Sequence, residues 1–332
     1  MQTEIGILAT GSYLPAKVMS SAEIAERVGV EADWILRKTL IAERRFAAPE
    51  EATSDLAAEA GADAIDRGDL DAASIDYLIV ATSTPDSPQP PVACLVQARL
   101  GAWNAACFDI NVVCSGFVYA LELARSLVSA RPSARALVIA ADVYSRSLDF
   151  DDRRTAVLLG DGAGAAVVGR VPSGYGILAT HLASRGDQRQ LIRVEAGGSR
   201  LPASHETVDG GGHYFRMDGR AVRDFVMDNV PPALEKLFAE AGVSPAELAH
   251  VVPHQPNGVL LGQLIELAGL DHARTHRTLD RYGNVGSASV PVTLDDAHRS
   301  GLLRTGDLLL LTAFGGGMSM GHCLMRWTAD RA

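Results

Sequence analysis

The spacing of apolar residues along the chain switches repeatedly between a helical and a strand period. SDLAAEAGADAIDRG carries apolar residues at helical intervals, and the β-rich run IDYLIVATS follows it. A proline-rich loop (PDSPQPP) leads into a second helix (VACLVQARLG) and then a strand, CFDINVV. After that strand comes a long apolar helix, CSGFVYALELARSLV, and another strand, RALVIAADV. The start of the chain, with Glu4 inside MQTEIGILATGSYLP, reads as a first strand and lacks the basic and long apolar regions of a signal peptide. VLLGDGAGAAVVGRV reads as two apolar strands joined by a glycine-rich turn. Such alternation predicts an α/β protein built around largely buried sheet.

The second half repeats the plan. Helix RAVRDFVMDNVPPALEKLFAEAG precedes strand LAHVVPHQP, as the earlier helix precedes IDYLIVATS. LVIAAD and LLLLTAF then occupy matching places, and each half closes on a glycine-rich strand pair, GDGAGAAVVG or GGGMSMGHCLMRW. The weak period, roughly 160 residues, predicts two like-folded halves, 1–172 and 173–332, with a site between them. Pro172 to about Gly212, rich in Gly, Ser and His, reads as a crossover of irregular loops.

Composition narrows the function. Aromatic residues are only 5% of 332, which suits tightly packed layers, and a net charge of −10 argues against nucleic acid as a general partner. The four cysteines show no ligand-like spacing, so neither a disulfide framework nor a zinc site is indicated, and a reducing cytoplasm is the simplest compartment. No apolar run is read as approaching the length of a membrane helix. The nine histidines form no close ligand cluster, so no metal is expected.

Cys114 stands at a strand-to-helix junction, where terminal N–H groups and the helix dipole favour thiolate over thiol. No acidic residue follows until Glu122. Far downstream lie His254, directly after an apolar strand, and Asn284, flanked by glycine in RYGNVGSASVP. A thiolate with an imidazole and a carboxamide donor is machinery for acyl transfer through a thioester. Singly, each has an ordinary explanation: a buried cysteine, a structural histidine, a turn-forming asparagine. Gly160 to Gly164 lacks the lysine of a P-loop and runs into a β-rich segment, which argues against the nucleotide-binding reading. Gly315 to Gly317 suits close approach of main-chain amides to a ligand.

In this order, CSGF, GDGAGA, PHQPN, GNVGSASVP and AFGGG resemble the ketoacyl-acyl carrier protein synthase III family of the thiolase superfamily. The likeness runs from GSYLP to the last strand, and ADWILRKTLIAERR resembles the family's cofactor-entrance segment. It implies a thiolase-like fold, two βαβαβαββ halves in five αβαβα layers, and a homodimer. It further implies that Cys114 takes an acyl group from acyl-CoA and that a malonyl thioester, on CoA or a carrier protein, then condenses with loss of carbon dioxide. His254 and Asn284 would stabilise the enolate, the backbone N–H groups of Cys114 and Gly316 would form the oxyanion hole, and Phe314 would line the pocket. Trp34, Lys38, Arg153, Gly219 and Asn257 would bind CoA as substrate, with no other cofactor. Several positions depart from the pattern. Val259 replaces an arginine of the carrier-docking surface, and Asp224 and Glu266 fall where lysines are expected, though Arg216, Arg220 and Arg223 could compensate. Lys38 and Leu40 replace Arg and Gly, and Gln89 stands where a phenylalanine often reaches across the dimer to limit acyl length. These changes point to specialised rather than housekeeping metabolism. The alternatives are an acyltransferase serving a hydroxyl or amine, and a non-catalytic partner subunit.

Overall fold

Two five-stranded sheets carry the architecture in the computed structural model, which describes residues 4–131 and 133–328. Across the first sheet the strands run Ile5–Tyr13, Asp161–Arg170, Ala136–Val143, Tyr77–Ala81 and Ala106–Ile110. Across the second they run Gly176–Ser184, Ser319–Arg326, Leu308–Gly315, His250–Pro253 and Arg274–Thr275. Counted along the chain within each sheet, both orders read first, fifth, fourth, second, third. Pairing polarity matches as well: the second strand is parallel to the third and fourth, and the fifth is antiparallel to both neighbours. The repeat inferred from the apolar pattern is therefore a repeat of topology.

Helices Gly116–Ala130 and Ser289–Arg299 fill the space between the sheets. Phe117, Leu121, Val290 and Leu294 meet Ile79 and Val138 of one sheet and Leu309 and Leu311 of the other. The alternate strand residues Leu78 and Val80 turn outward onto Thr53–Arg67 and Val92–Leu100. On the far side, Leu308 and Leu310 pack under Gly219–Ala241 and Gly258–Leu267. Strands buried on both faces explain the continuous apolar runs, each fully buried Val, Leu or Ile contributing about 1.5–3 kcal/mol. The result is the five-layer thiolase arrangement.

Three expectations are corrected. GDGAGAAVVGR is one strand, Asp161–Arg170, rather than two strands and a turn. Its glycines admit a neighbour: a Cβ on Gly164 would lie 2.7 Å from the Val292 nitrogen, so the central helix can sit directly on the sheet. The crossover expected between Pro172 and Gly212 contains the strand Gly176–Ser184, which opens the second half. Finally, Val113–Ala130 is, over 18 residues with mean hydropathy 1.3, long and apolar enough to cross a membrane. Glu122 and Arg125 interrupt it too weakly to lower that average, and half of it is buried inside the protein as the central layer.

Candidate active site

Duplication puts the ends of the two central helices at equivalent places, one bearing Cys114 and the other Asn284. After strand Ala106–Ile110 the chain makes a short turn, Val113–Ser115, before helix Gly116–Ala130. Val113 adopts φ +47°, a region that β-branched residues avoid, so Cys114 sits on a strained turn. Two hydroxyls pin that turn to the second half: Ser115 Oγ donates to the Ser319 carbonyl (3.2 Å) and Ser319 Oγ to the Val112 carbonyl (3.2 Å). Gly315 lies against Cys114, since a Cβ there would be 2.7 Å from the Cys114 Cβ. A Cβ on Gly316 would be 3.2 Å from Val113 Cγ2. The glycine run thus lets one backbone approach another at Cys114.

Cys114 is only 8% exposed, and burial pushes its thiol well above the ordinary range, with the nearby Asp142 carboxylate adding to the effect. This corrects the expectation of a resting thiolate. Desolvation of the charge outweighs the helix terminus, because sequence position reveals the dipole but not the apolar surroundings.

His254 follows strand His250–Pro253, and its backbone N–H donates to the Thr312 carbonyl (2.7 Å). Its buried ring meets Phe314 edge-on, centroids 5.5 Å apart, and Nδ1 has no hydrogen-bond partner. Burial lowers the imidazole pKa to about 3, so the ring is neutral. Phe314 adjoins Gly315, so the end of one strand joins His254 to Cys114. Asn284 is fixed by its main chain, donating to the Leu158 carbonyl (2.9 Å) and accepting from Gly160 N–H (2.9 Å). Its Oδ1 accepts from Gly286 N–H (3.0 Å), which turns the amide NH2 the other way.

Asn284 lines a cleft of about 410 Å³ together with Trp34, Lys38, Gly219 and Asn257. The Arg153 guanidinium lies 5.6 Å from the centre of the Trp34 ring, beside the cleft that the other four residues expected at CoA line. Asn257 has little left for a ligand. Its Oδ1 caps helix Gly258–Leu267 by accepting from Val259 and Leu260 N–H, and its Nδ2 donates to the Lys38 carbonyl (2.9 Å). Gln89 lies elsewhere, exposed beside Phe108 and Ile110 in a separate hollow on the edge strand of the first sheet.

Arg44 escaped sequence reasoning. Fully buried, it donates to the Val157 carbonyl (2.8 Å), the Met19 carbonyl (3.3 Å) and Ser21 Oγ (3.1 Å). Those bonds brace the segment that pairs with Asn284, and desolvation lowers the guanidinium pKa to about 10. The only hint was alternation in ERRF, where Arg44 points inward and Arg45 less so. Among the described residues, no group of three or more His, Cys, Asp or Glu could hold a metal ion.

Fold and site together define a thiolase-fold condensing enzyme. Residues 108–186 match the family described as 3-Oxoacyl-[acyl-carrier-protein (ACP)] synthase III, and residues 238–327 match its C-terminal part. The chain is 47% identical over 323 residues to the acetoacetyl CoA synthase NphT7 of Streptomyces sp. (strain CL190), covering 97% of this chain and 98% of that one. It is 43% identical, with the same coverages, to the beta-ketoacyl-[acyl-carrier-protein] synthase III of Caldanaerobacter subterraneus subsp. tengcongensis. Among solved structures, the 3-oxoacyl-[acyl-carrier-protein] synthase III of Aquifex aeolicus VF5 superimposes with a TM-score of 0.89 at 35% identity, over 97% of this chain and 100% of that one. The priming β-ketosynthase of the R1128 polyketide pathway gives 0.92 at 30% identity, over 99% and 98%. The chain belongs to the 3-oxoacyl-acyl carrier protein synthase III family of acyl-transferring enzymes.

Proposed function

We propose that this enzyme condenses an acyl-CoA with malonyl-CoA, in specialised polyketide or fatty-acid-like metabolism. The Cys114 sulfur attacks the acyl-CoA thioester, the C–S bond to CoA breaks, and the thiol proton leaves with the CoA sulfur. The malonyl thioester then loses carbon dioxide, and its enolate forms a carbon–carbon bond to the Cys114-bound acyl carbon. Cys114 departs as thiolate and regains a proton. Backbone N–H groups of Cys114 and Gly316 hold the oxyanion, His254 and Asn284 donate to the enolate oxygen, and Phe314 shields the site. Residues 1–172 supply the nucleophile and 173–332 the two donors. No cofactor beyond the CoA thioesters is needed. The observation that supports this reading is that Gly315 lies against Cys114, the adjoining Phe314 ring meets His254, and Asn284 lines a cleft with Trp34 and Lys38.

The rim of the cleft supports CoA over an acidic carrier protein as the source of malonyl groups. Asp224, Asp228 and Glu266 line a groove that shares Arg223 and Gln263 with the cleft. Arg223 is paired with Asp224 at 3.2 Å, and Arg216 is paired with Asp149, so two of the three compensating arginines are already neutralised. Val259 is 39% exposed where a docking arginine was expected. The similarity to a relative named an acetoacetyl CoA synthase agrees. Carbon dioxide release with malonyl-CoA should exceed that with a malonyl carrier by roughly tenfold in kcat/KM, and Val259→Arg should narrow the gap most at low salt. A wild type that prefers the carrier, and loses that preference in salt, would overturn the assignment. Acyl transfer without carbon dioxide release would point to the plain acyltransferase.

The reading also includes a cytoplasmic homodimer. All four cysteines are free, as a reducing compartment requires. The edge strand Ala106–Ile110 is partly exposed beside the proline-rich loop bearing Gln89, a surface suited to a second copy. Light scattering should give twice the 35.0 kDa chain mass, and a monomer would refute it.

A further inference from the structure

Asp142 is a fully buried carboxylate, the penultimate residue of the strand Ala136–Val143. Its two oxygens serve different halves of the protein. Oδ1 accepts from Thr82 Oγ1 (3.2 Å), Ser83 N–H (2.9 Å), Ser83 Oγ (3.1 Å) and Thr84 Oγ1 (3.2 Å), all in the loop after strand Tyr77–Ala81. Oδ2 accepts from Ser287 N–H (2.8 Å) and Ser287 Oγ (2.7 Å), three residues beyond Asn284. Burial raises the pKa of this carboxyl above its ordinary value, and the six donors, two main-chain N–H groups among them, work against that by favouring the charged form.

The geometry reaches both catalytic turns. A Cβ on Gly116, two residues after Cys114, would lie 2.9 Å from the Ala81 Cβ and 3.5 Å from the Ser287 Cβ. The helix that carries the nucleophile therefore rests on the residue Asp142 grips. Gly286 takes φ +57°, and a Cβ there would lie 2.4 Å from both Asp142 Oδ2 and Tyr144 Cε2. The turn after Asn284 is thus pressed onto the carboxylate, and its N–H holds the Asn284 amide in orientation.

We propose that Asp142 is the positioning residue that locks the Asn284 turn of the second half onto the Cys114 turn of the first. Condensation therefore depends on it more than acyl transfer does. The inference rests on the reading that Asn284 serves condensation. The titratable groups that feel Asp142 are Cys114 and Tyr144, whose hydroxyl meets Ser83 Oγ at 2.6 Å. An amide in place of the carboxylate would present a donor to at least one of these donors and remove a buried negative charge.

The test compares Asp142→Asn, Ser287→Ala and Asn284→Ala with the wild type. It measures Cys114 acylation by mass spectrometry, carbon dioxide release from malonyl-CoA, and the pH profile of Cys114 alkylation by iodoacetamide. For Asp142→Asn, condensation should fall about 100-fold, comparable to losing one oxyanion donor, while acylation stays within about threefold. Its alkylation profile should move to lower pH, because the anion that opposes thiolate formation is gone. A merely structural residue would lower stability without moving that profile. Ser287→Ala retains the backbone N–H and should cost condensation about tenfold, which keeps the test alive if Asp142→Asn does not fold. Equal losses of acylation and condensation in these two variants, or an unmoved alkylation profile in Asp142→Asn, overturn the inference. If Asn284→Ala itself spares condensation, the reading of Asn284 has failed instead.

Discussion

Cys114→Ser should abolish self-acylation by acyl-CoA, with a loss of at least about 1,000-fold, the scale seen when a nucleophile is removed from a preorganised site. The other cysteines cannot take its place. Cys107 lies on the edge strand Ala106–Ile110, and Cys323 lies in the apolar layer between the sheets. Cys94 sits on an outer helix. Only Cys114 combines a helix start with the close backbone of Gly315 and Gly316, which can receive the negative charge of a tetrahedral intermediate. An alcohol at the same place is far less ionised than a thiol, so serine keeps the shape and loses the chemistry. Since the resting thiol is pushed up, iodoacetamide alkylation of the wild type should accelerate as pH rises from neutral. Mass spectrometry locates the adduct. Acyl mass on Cys94, Cys107 or Cys323 would sink the assignment.

Much of this was legible in the sequence because strands buried on both faces must be continuously apolar. LVIAAD and LLLLTAF announced themselves, and their shared neighbours announced the repeat. Gly176–Ser184 did not. As an edge strand it is largely half-buried, so Thr180 and His181 are tolerated in it and blur its period. Chemistry followed the same divide. Cys114, His254 and Asn284 stand in recognisable surroundings of glycine, proline and strand ends. Asp142 stands in an apolar strand, where one sequence cannot say whether an acid is gripped by donors from two distant loops. Arg44 is hidden for the same reason, since its partners Met19 and Val157 contribute carbonyls, which every residue has. The acidity of the Cys114 thiol was misjudged because desolvation is a property of the packed protein.

Once Cys114 carries its acyl group, His254→Ala and Asn284→Ala should each slow condensation by about 100- to 1,000-fold, or about 2.7–4 kcal/mol, with acylation retained. The reason lies in the charge of the donors. His254 is held neutral by burial, with a pKa of about 3, well below the ordinary value of 6.5. It therefore offers a single N–H and no proton to be withdrawn as a cation. Asn284 has its Oδ1 occupied by Gly286 N–H, which leaves the NH2 to donate. Two neutral donors fixed before the substrate arrives stabilise an enolate oxygen as its charge grows, without protonating it and ending the carbanion's reactivity. In the proposed mechanism, acyl transfer to sulfur develops its charge beside the Cys114 and Gly316 N–H groups instead, so it should not need them. The pH dependence follows with a definite sign: a lowered pKa keeps the imidazole neutral from pH 8 down past pH 5. Condensation by pre-acylated enzyme should show no inflection near 6.5, over the range where the fold is intact. Single-turnover carbon dioxide release across that range measures it. An inflection near 6.5, or equal loss of acylation in His254→Ala, would make the imidazole a base that activates Cys114 rather than a donor to the enolate.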